Sequence, residues 1–371
     1  MIKNKFILTG FMVLYLMSIC CGCSRYSVSE SDDIQTNDAE EQKKASKDDI
    51  RKDGQNDDMD SFTKAEENSQ ISYSFSHGAK KPNRNKDGDI QPFIYQGGEF
   101  SMKYTFNAEG RGKTVGFLLF VNGKPLPYRV DDNSDEEYCH IFSIQDNQDK
   151  DFIIRFTPSE GKKGEKLQVI IDGIYHAGYS PDMKDTSGWG FYHSHLPMEY
   201  QLKLQKDVPV ESEAYFTKNI LKNLKMEQQK VNKKFLKEEL PAQGYSEVTT
   251  EMLEQGAYYS ITYDGQPNFD YLDVTNKKSV HIVYKICGRS GLLYDTTFFI
   301  NHQPISNTVN VKLSKGGMAV IEADIDIESL KENNVFYTVT VPRVTGRYSQ
   351  SNIVIDVIKS NSILLYQKEE E

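Results

Sequence analysis

The chain has 371 residues, of which 38% are hydrophobic, with a mean hydropathy of −0.59 and a formal net charge of −10. That length admits two or three domains with cores of their own, while the low apolar content excludes one globule packed from end to end. An acidic chain is repelled by phosphate, which argues against nucleic acid or anionic lipid as the partner of the folded part.

The N-terminus reads as an export signal. Lys3 and Lys5 precede an uncharged apolar run over residues 6–19, too short to span a bilayer as a helix, and small residues and cysteines follow. In the cluster Cys20, Cys21, Gly22, Cys23, a glycine directly before a cysteine resembles the cleavage site of bacterial lipoproteins. The resemblance implies loss of residues 1–22, lipidation of Cys23 and a location on the extracytoplasmic face of the cell membrane. Cys20 stands where that family usually has an aliphatic residue, so Cys21 is the alternative lipidation site.

Residues 24–70 carry 14 acidic and 7 basic side chains, a balance of −7, with Tyr26 and Phe62 as the aromatics. Such a segment has too little apolar surface to offset its chain entropy, and residues 23–70 are expected to form a disordered acidic tether.

From residue 71 the pattern turns to β-structure. Strands are predicted over residues 71–75, 100–106, 115–123, 151–157, 166–174 and 198–204, then again over 258–265, 280–286, 294–301, 318–325, 335–341 and 352–358. The two sets run in the same order. "FVNGKPL" at residues 120–126 returns as "FINHQPI" at 299–305, pairing Phe120 with Phe299, Asn122 with Asn301 and Pro125 with Pro304; a one-residue gap then pairs Tyr104 with Tyr284. The expected fold is all-β, with two tandem immunoglobulin-like β-sandwiches over residues 71–205 and 245–371. Cys139 and Cys287, one in each, are expected as buried free thiols.

Between them, Ile220, Leu224, Val231 and Phe235 recur at helical spacing among Lys and Glu, which predicts an amphipathic helix over residues 213–239 within a connecting segment, 206–244.

The densest chemistry lies at residues 175–198, "YHAGYSPDMKDTSGWGFYHSHLPM", where the second copy has only "RVTGRYSQS". The stretch holds three of the seven histidines and the single tryptophan. Aromatic faces beside polar groups suit sugars or extended peptides, making Tyr175, Tyr179, Trp189, Phe191 and Tyr192 the candidate ligand contacts; the same rings would also serve to fold the loop onto its sandwich. No cofactor is demanded by these patterns. Zinc at His176, His193 and His195 is what the residue types there would accept. Asn83, Asn85 and Asp87, with Gly88 after them, resemble the first part of a calcium-binding loop, although Ile94 stands where that pattern has its bidentate glutamate.

There is no Gly-x-Ser-x-Gly elbow, phosphate-cradling loop or dinucleotide fingerprint. The expected function is therefore that of a membrane-anchored surface binding or adhesion module, with a cell-surface glycan, wall polymer or protein as ligand and the membrane itself as anchor. The alternatives are a metal-assisted envelope hydrolase and an accessory lipoprotein of a membrane-protein complex.

Overall fold

The computed structural model describes residues 74–109, 114–132, 134–145, 148–178, 194–209, 220–267, 270–343 and 357–367. The first half supplies β1 (Ser74–Ala79), β2 (Phe93–Tyr95), β3 (Phe100–Glu109), β4 (Thr114–Val121), β5 (Lys124–Pro125), β6 (Arg129–Val130), β7 (Cys139–Ser143), β8 (Lys150–Phe156), β9 (Lys166–Tyr175) and β10 (His195–Leu204). After β11 (Leu221–Lys230) come β12 (Ala257–Tyr263), β13 (Gln266–Pro267), β14 (Tyr271–Asp273), β15 (Ser279–Gly288), β16 (Leu293–Ile300) and β17 (Gln303–Pro304). The chain closes with β18 (Val309–Lys312), β19 (Gly317–Asp326), β20 (Asn333–Arg343), β21 (Ile358–Lys359) and β22 (Ile363–Tyr366).

These strands form four sheets. In the first sandwich β1-β3-β8-β6 faces β2-β10-β9-β4-β5, with β7 on the far edge of β4. In the second, β11-β19-β15-β12-β13 faces β14-β22-β20-β16-β17, with β18 on β16 and β21 on β20. Each has the A-B-E-D against C-F-G arrangement of an immunoglobulin-like sandwich, and in each a short strand runs parallel to the last one, β2 to β10 and β14 to β22. Tyr104 on β3 and Tyr284 on β15 are both fully buried, at the same place in the two cores.

Two kinds of strand are legible in the burial. On β3, Met102, Tyr104, Phe106 and Ala108 alternate inward, as expected for a strand with one wet face. On β4 the apolar run is unbroken because both faces are covered: Val115, Phe117 and Leu119 enter the core of their own sandwich, while Leu118 and Phe120 point the other way. There they meet Phe299 of β16 and Tyr337, Val339 and Val341 of β20. The two sandwiches thus pack face to face through their C-F-G sheets, with Ile170 and Ile174 of β9 completing a third apolar layer.

The segment predicted as a connecting helix is corrected. Residues 221–230 form β11, which pairs antiparallel with β19 and takes the D position of the second sandwich. The open edge of β19 presents a row of backbone donors and acceptors, and satisfying that row outweighs the helical preference of a lysine- and glutamate-rich segment. Ion pairs from Lys222 to Asp326 (2.5 Å) and from Lys225 to Glu322 (2.7 Å) pin the strand, and a register shift between them places Asn223 at φ +53°. Residues 213–219 of the predicted helix lie outside the described residues, and among the described ones only its end turns, at Phe235–Glu239, continuing into Leu240–Ala242, where Phe235 and Leu240 cover Cys287, Met318 and Val320. Of the final predicted strand, residues 352–356 lie outside the described set and Ile358 opens β21, while the G position is filled by β22.

Candidate functional site

The β9–β10 hairpin is the F-G connection of the first sandwich, and its two stems gather most of the unusual polar groups. Tyr175, the last residue of β9, is 1% exposed and belongs to the core, so its predicted role as a ligand contact is replaced by a structural one. Beyond it the chain turns sharply. His176 takes φ +58° and its amide donates to the Thr114 carbonyl (2.7 Å), while the Gly178 amide donates to Thr114 Oγ1 (2.8 Å). Tyr179, Trp189, Phe191, Tyr192 and His193 lie outside the described residues, as do Cys21 and Cys23.

On the return stem, Nδ1 of His195 sits 3.0 and 3.1 Å from the two carboxylate oxygens of Asp172, which is fully buried on β9. That ring nitrogen is therefore occupied by a carboxylate. Among the described residues no three His, Cys, Asp or Glu side chains converge as a metal site.

Two further histidines, neither singled out by the sequence, grip the same stems. His77 of β1 places Nε2 2.6 Å from the Leu196 carbonyl and Nδ1 2.6 Å from the Tyr104 hydroxyl. His302, in the turn after β16 of the second sandwich, places Nε2 2.8 Å from the Ala177 carbonyl and Nδ1 2.9 Å from the Tyr337 hydroxyl. A carbonyl only accepts, so Nε2 of each ring carries the proton, and Nδ1 of a neutral ring then accepts from the tyrosine. Burial lowers both rings to about 4, against the opposing pull of the carbonyls they bond.

Nearby, Lys359 of β21 is buried over the Tyr337 ring, 4.5 Å from its centroid, and donates to Ser362 Oγ (2.9 Å) and the Ser360 carbonyl (3.2 Å). Burial pulls its amine down to about 7, with the Asp172 carboxylate opposing the shift. Sequence reasoning missed His77, His302, Asp172 and Lys359. One signal was present: His302 sits inside the repeated motif where the first copy has Gly123.

Asn83, Asn85 and Asp87 form a self-contained turn in which Asn85 Oδ1 accepts from the amides of Asp87 (2.9 Å) and Asp89 (2.8 Å). The Asp89 carbonyl accepts from the Asn85 amide (2.9 Å) in the same turn, so the Asn85 side-chain oxygen and the Asp89 carbonyl serve the turn itself where a calcium loop would aim them at a cation. Cys139 and Cys287 are free and buried, and burial raises both thiols.

No protein-family model and no curated protein matches the chain. Among solved structures, it is similar to the fibronectin(III)-like modules of Clostridium thermocellum CbhA at 5% identity, over 79% of this chain and 94% of that one, with a TM-score of 0.18. It is also similar to the Salmonella enterica SafA pilin in complex with the SafB chaperone at 9% identity, over 74% and 96%, with a TM-score of 0.20. Tandem Ig repeats of Dlar match at 12% identity over 80% and 97%, with a TM-score of 0.17. At such scores the fold assignment stands on the strand order itself: the chain is a tandem of two immunoglobulin-like β-sandwiches.

Proposed function

We propose that the chain is a binding or adhesion-type module, tethered to the outer face of the cell membrane through Cys23 or Cys21, that offers the β9–β10 hairpin of its first sandwich to a cell-surface glycan, wall polymer or protein. The observation that supports this reading is the treatment of the hairpin stems. Buried His77 and His302 fasten them to the strands around them, half-buried His195 bonds one stem to the other, and the chain they carry holds the single tryptophan. Loops that contact ligands are commonly mounted in this way, since a fixed base limits the entropy lost on binding.

The test is binding of the full chain to a panel of soluble wall glycans and to isolated cell envelopes, beside Trp189→Ala and Phe191→Ala. The expected result is a loss of about tenfold or more in affinity for a ligand that the wild type binds, with the melting temperature unchanged. Equal binding by wild type and both variants would overturn the assignment of the hairpin as the contact surface. The anchor is tested separately by mass spectrometry of the membrane-extracted chain: a diacylglyceryl group on Cys23, moved or lost in Cys23→Ala, is expected.

A further inference from the structure

The two stems of the β9–β10 hairpin are held by relays of the same composition. From Tyr104 the hydroxyl donates to His77, whose Nε2–H donates to the Leu196 carbonyl on the return stem. From Tyr337 the hydroxyl donates to His302, whose Nε2–H donates to the Ala177 carbonyl on the outgoing stem. The first relay starts in the hairpin's own sandwich and the second in the other one. We propose that His77 and His302 are positioning residues for the two stems of this hairpin, so that the second sandwich, acting through His302, fixes where the outgoing stem leaves the first.

The inference rests on the reading of the hairpin as the ligand-bearing element, and three observations carry it. First, the two sandwiches meet through equivalent sheets, yet the first copy has no side chain at the position from which His302 reaches across. The position of His302 is taken in the first copy by Gly123, where a Cβ would collide with the Asp295 carboxylate. Second, both bonds to the stems end on backbone carbonyls, which places the chain rather than a side chain. Third, each ring is enclosed. His77 stacks on Phe75 at 5.0 Å and meets Phe117 edge-on at 5.3 Å, and His302 lies 5.6 Å from the Tyr337 ring. The titratable groups that act on them are Tyr104 and Asp172 for His77, and Tyr337 and Lys359 for His302. A ring that gains a second proton has no acceptor left for its tyrosine, so each relay holds only while its imidazole is neutral.

Trp189 is the single tryptophan and lies in sequence between the two stems, so its fluorescence reports on this hairpin alone. The experiment compares Trp189 emission and acrylamide quenching in the full chain for wild type, His77→Phe, His302→Phe and His302→Gln, with the exposed His281→Phe as control and far-ultraviolet circular dichroism following the fold. The quenching constant is expected to change by about twofold in both Phe variants at temperatures where they stay folded. His302→Gln, which keeps an N–H donor, is expected to recover most of the wild-type value, and His281→Phe to match wild type. In the wild type the Trp189 signal is expected to change as pH falls toward 4, before the dichroism is lost, with that step diminished in His302→Phe.

Unchanged quenching in both folded Phe variants would overturn the proposal. So would an acid change in Trp189 that coincides with global unfolding, which decides the matter even if the Phe variants fail to fold. Glycan binding that fails while the fluorescence coupling holds would instead overturn the reading of the hairpin as the ligand-bearing element.

Discussion

Phe120 and Phe299 stand at the same place in the two copies of one motif, and their rings meet edge to face across the sandwich interface, with centroids 6.1 Å apart and planes at 74°. The repeat is therefore also the contact. Each sandwich presents its C-F-G sheet to the other, much as an isologous dimer presents one patch twice.

Phe120→Ala and Phe299→Ala are each expected to cost about 3–5 kcal/mol, since each empties a fully buried site. The double variant is expected to lose less than the sum, by roughly 1 kcal/mol, because the two rings share one contact. Urea unfolding of the four chains measures the coupling, and strict additivity would mean that the pair contributes nothing beyond separate burial.

Gly123 takes φ +79° in the motif turn, beside the carboxylate of Asp295, which Arg343 and Asn310 hold from the other side. Gly123→Ala should therefore cost several kcal/mol, combining a left-handed backbone with a clash against buried atoms that are already bonded. Gly98 has a similar φ of +75° with nothing within 4 Å of an added Cβ, so Gly98→Ala isolates the backbone part at about 1 kcal/mol. Thermal denaturation of the two variants gives the difference.

Lys359 has its amine lowered by burial to about 7 from an ordinary 10.5. Between these values the unfolded chain holds a proton that the folded chain has released, so stability rises with pH across the window and carries the full penalty below pH 7. The gap, 10.5 − 7, corresponds to a penalty of roughly 5 kcal/mol at most. Lys359→Met, similar in length and uncharged, is expected to raise the melting temperature at pH 7 and to flatten the rise between pH 7 and 10.

His77 and His302 titrate in the opposite range. Their folded values of about 4 lie below the ordinary 6.5, so stability is complete above pH 6.5, declines as pH falls through the window and levels off below 4. Each gap of 6.5 − 4 is worth roughly 3 kcal/mol. Urea midpoints measured from pH 7 to 4 should show a smaller decline in His302→Phe than in wild type.

The strand at residues 221–230 makes a prediction that a helix would not. Leu221 is buried against the core of the second sandwich, whereas Leu224 is 40% exposed. Leu221→Asp is expected to cost about 2–4 kcal/mol and Leu224→Asp less than about 0.5 kcal/mol. A docked amphipathic helix would make Leu224→Asp costly, so denaturant midpoints of the two variants separate the structures.

Much of the architecture was legible in the amino-acid sequence, for reasons that are local. Alternation along β3 and the unbroken apolar run along β4 come from side chains facing one or two buried layers, and the repeated motif marks the repeated strand and turn. The tertiary structure alone decided three things. It made residues 221–230 a strand, because the unpaired edge of β19 lies about a hundred residues away in sequence and no local propensity registers it. It brought the two C-F-G sheets together. It also assembled the histidine relays, whose rings and carbonyls are separated by 119 and 125 residues. Hydrogen-bond partners at such separations leave no spacing pattern, so the site's chemistry came into being only when the chain had folded.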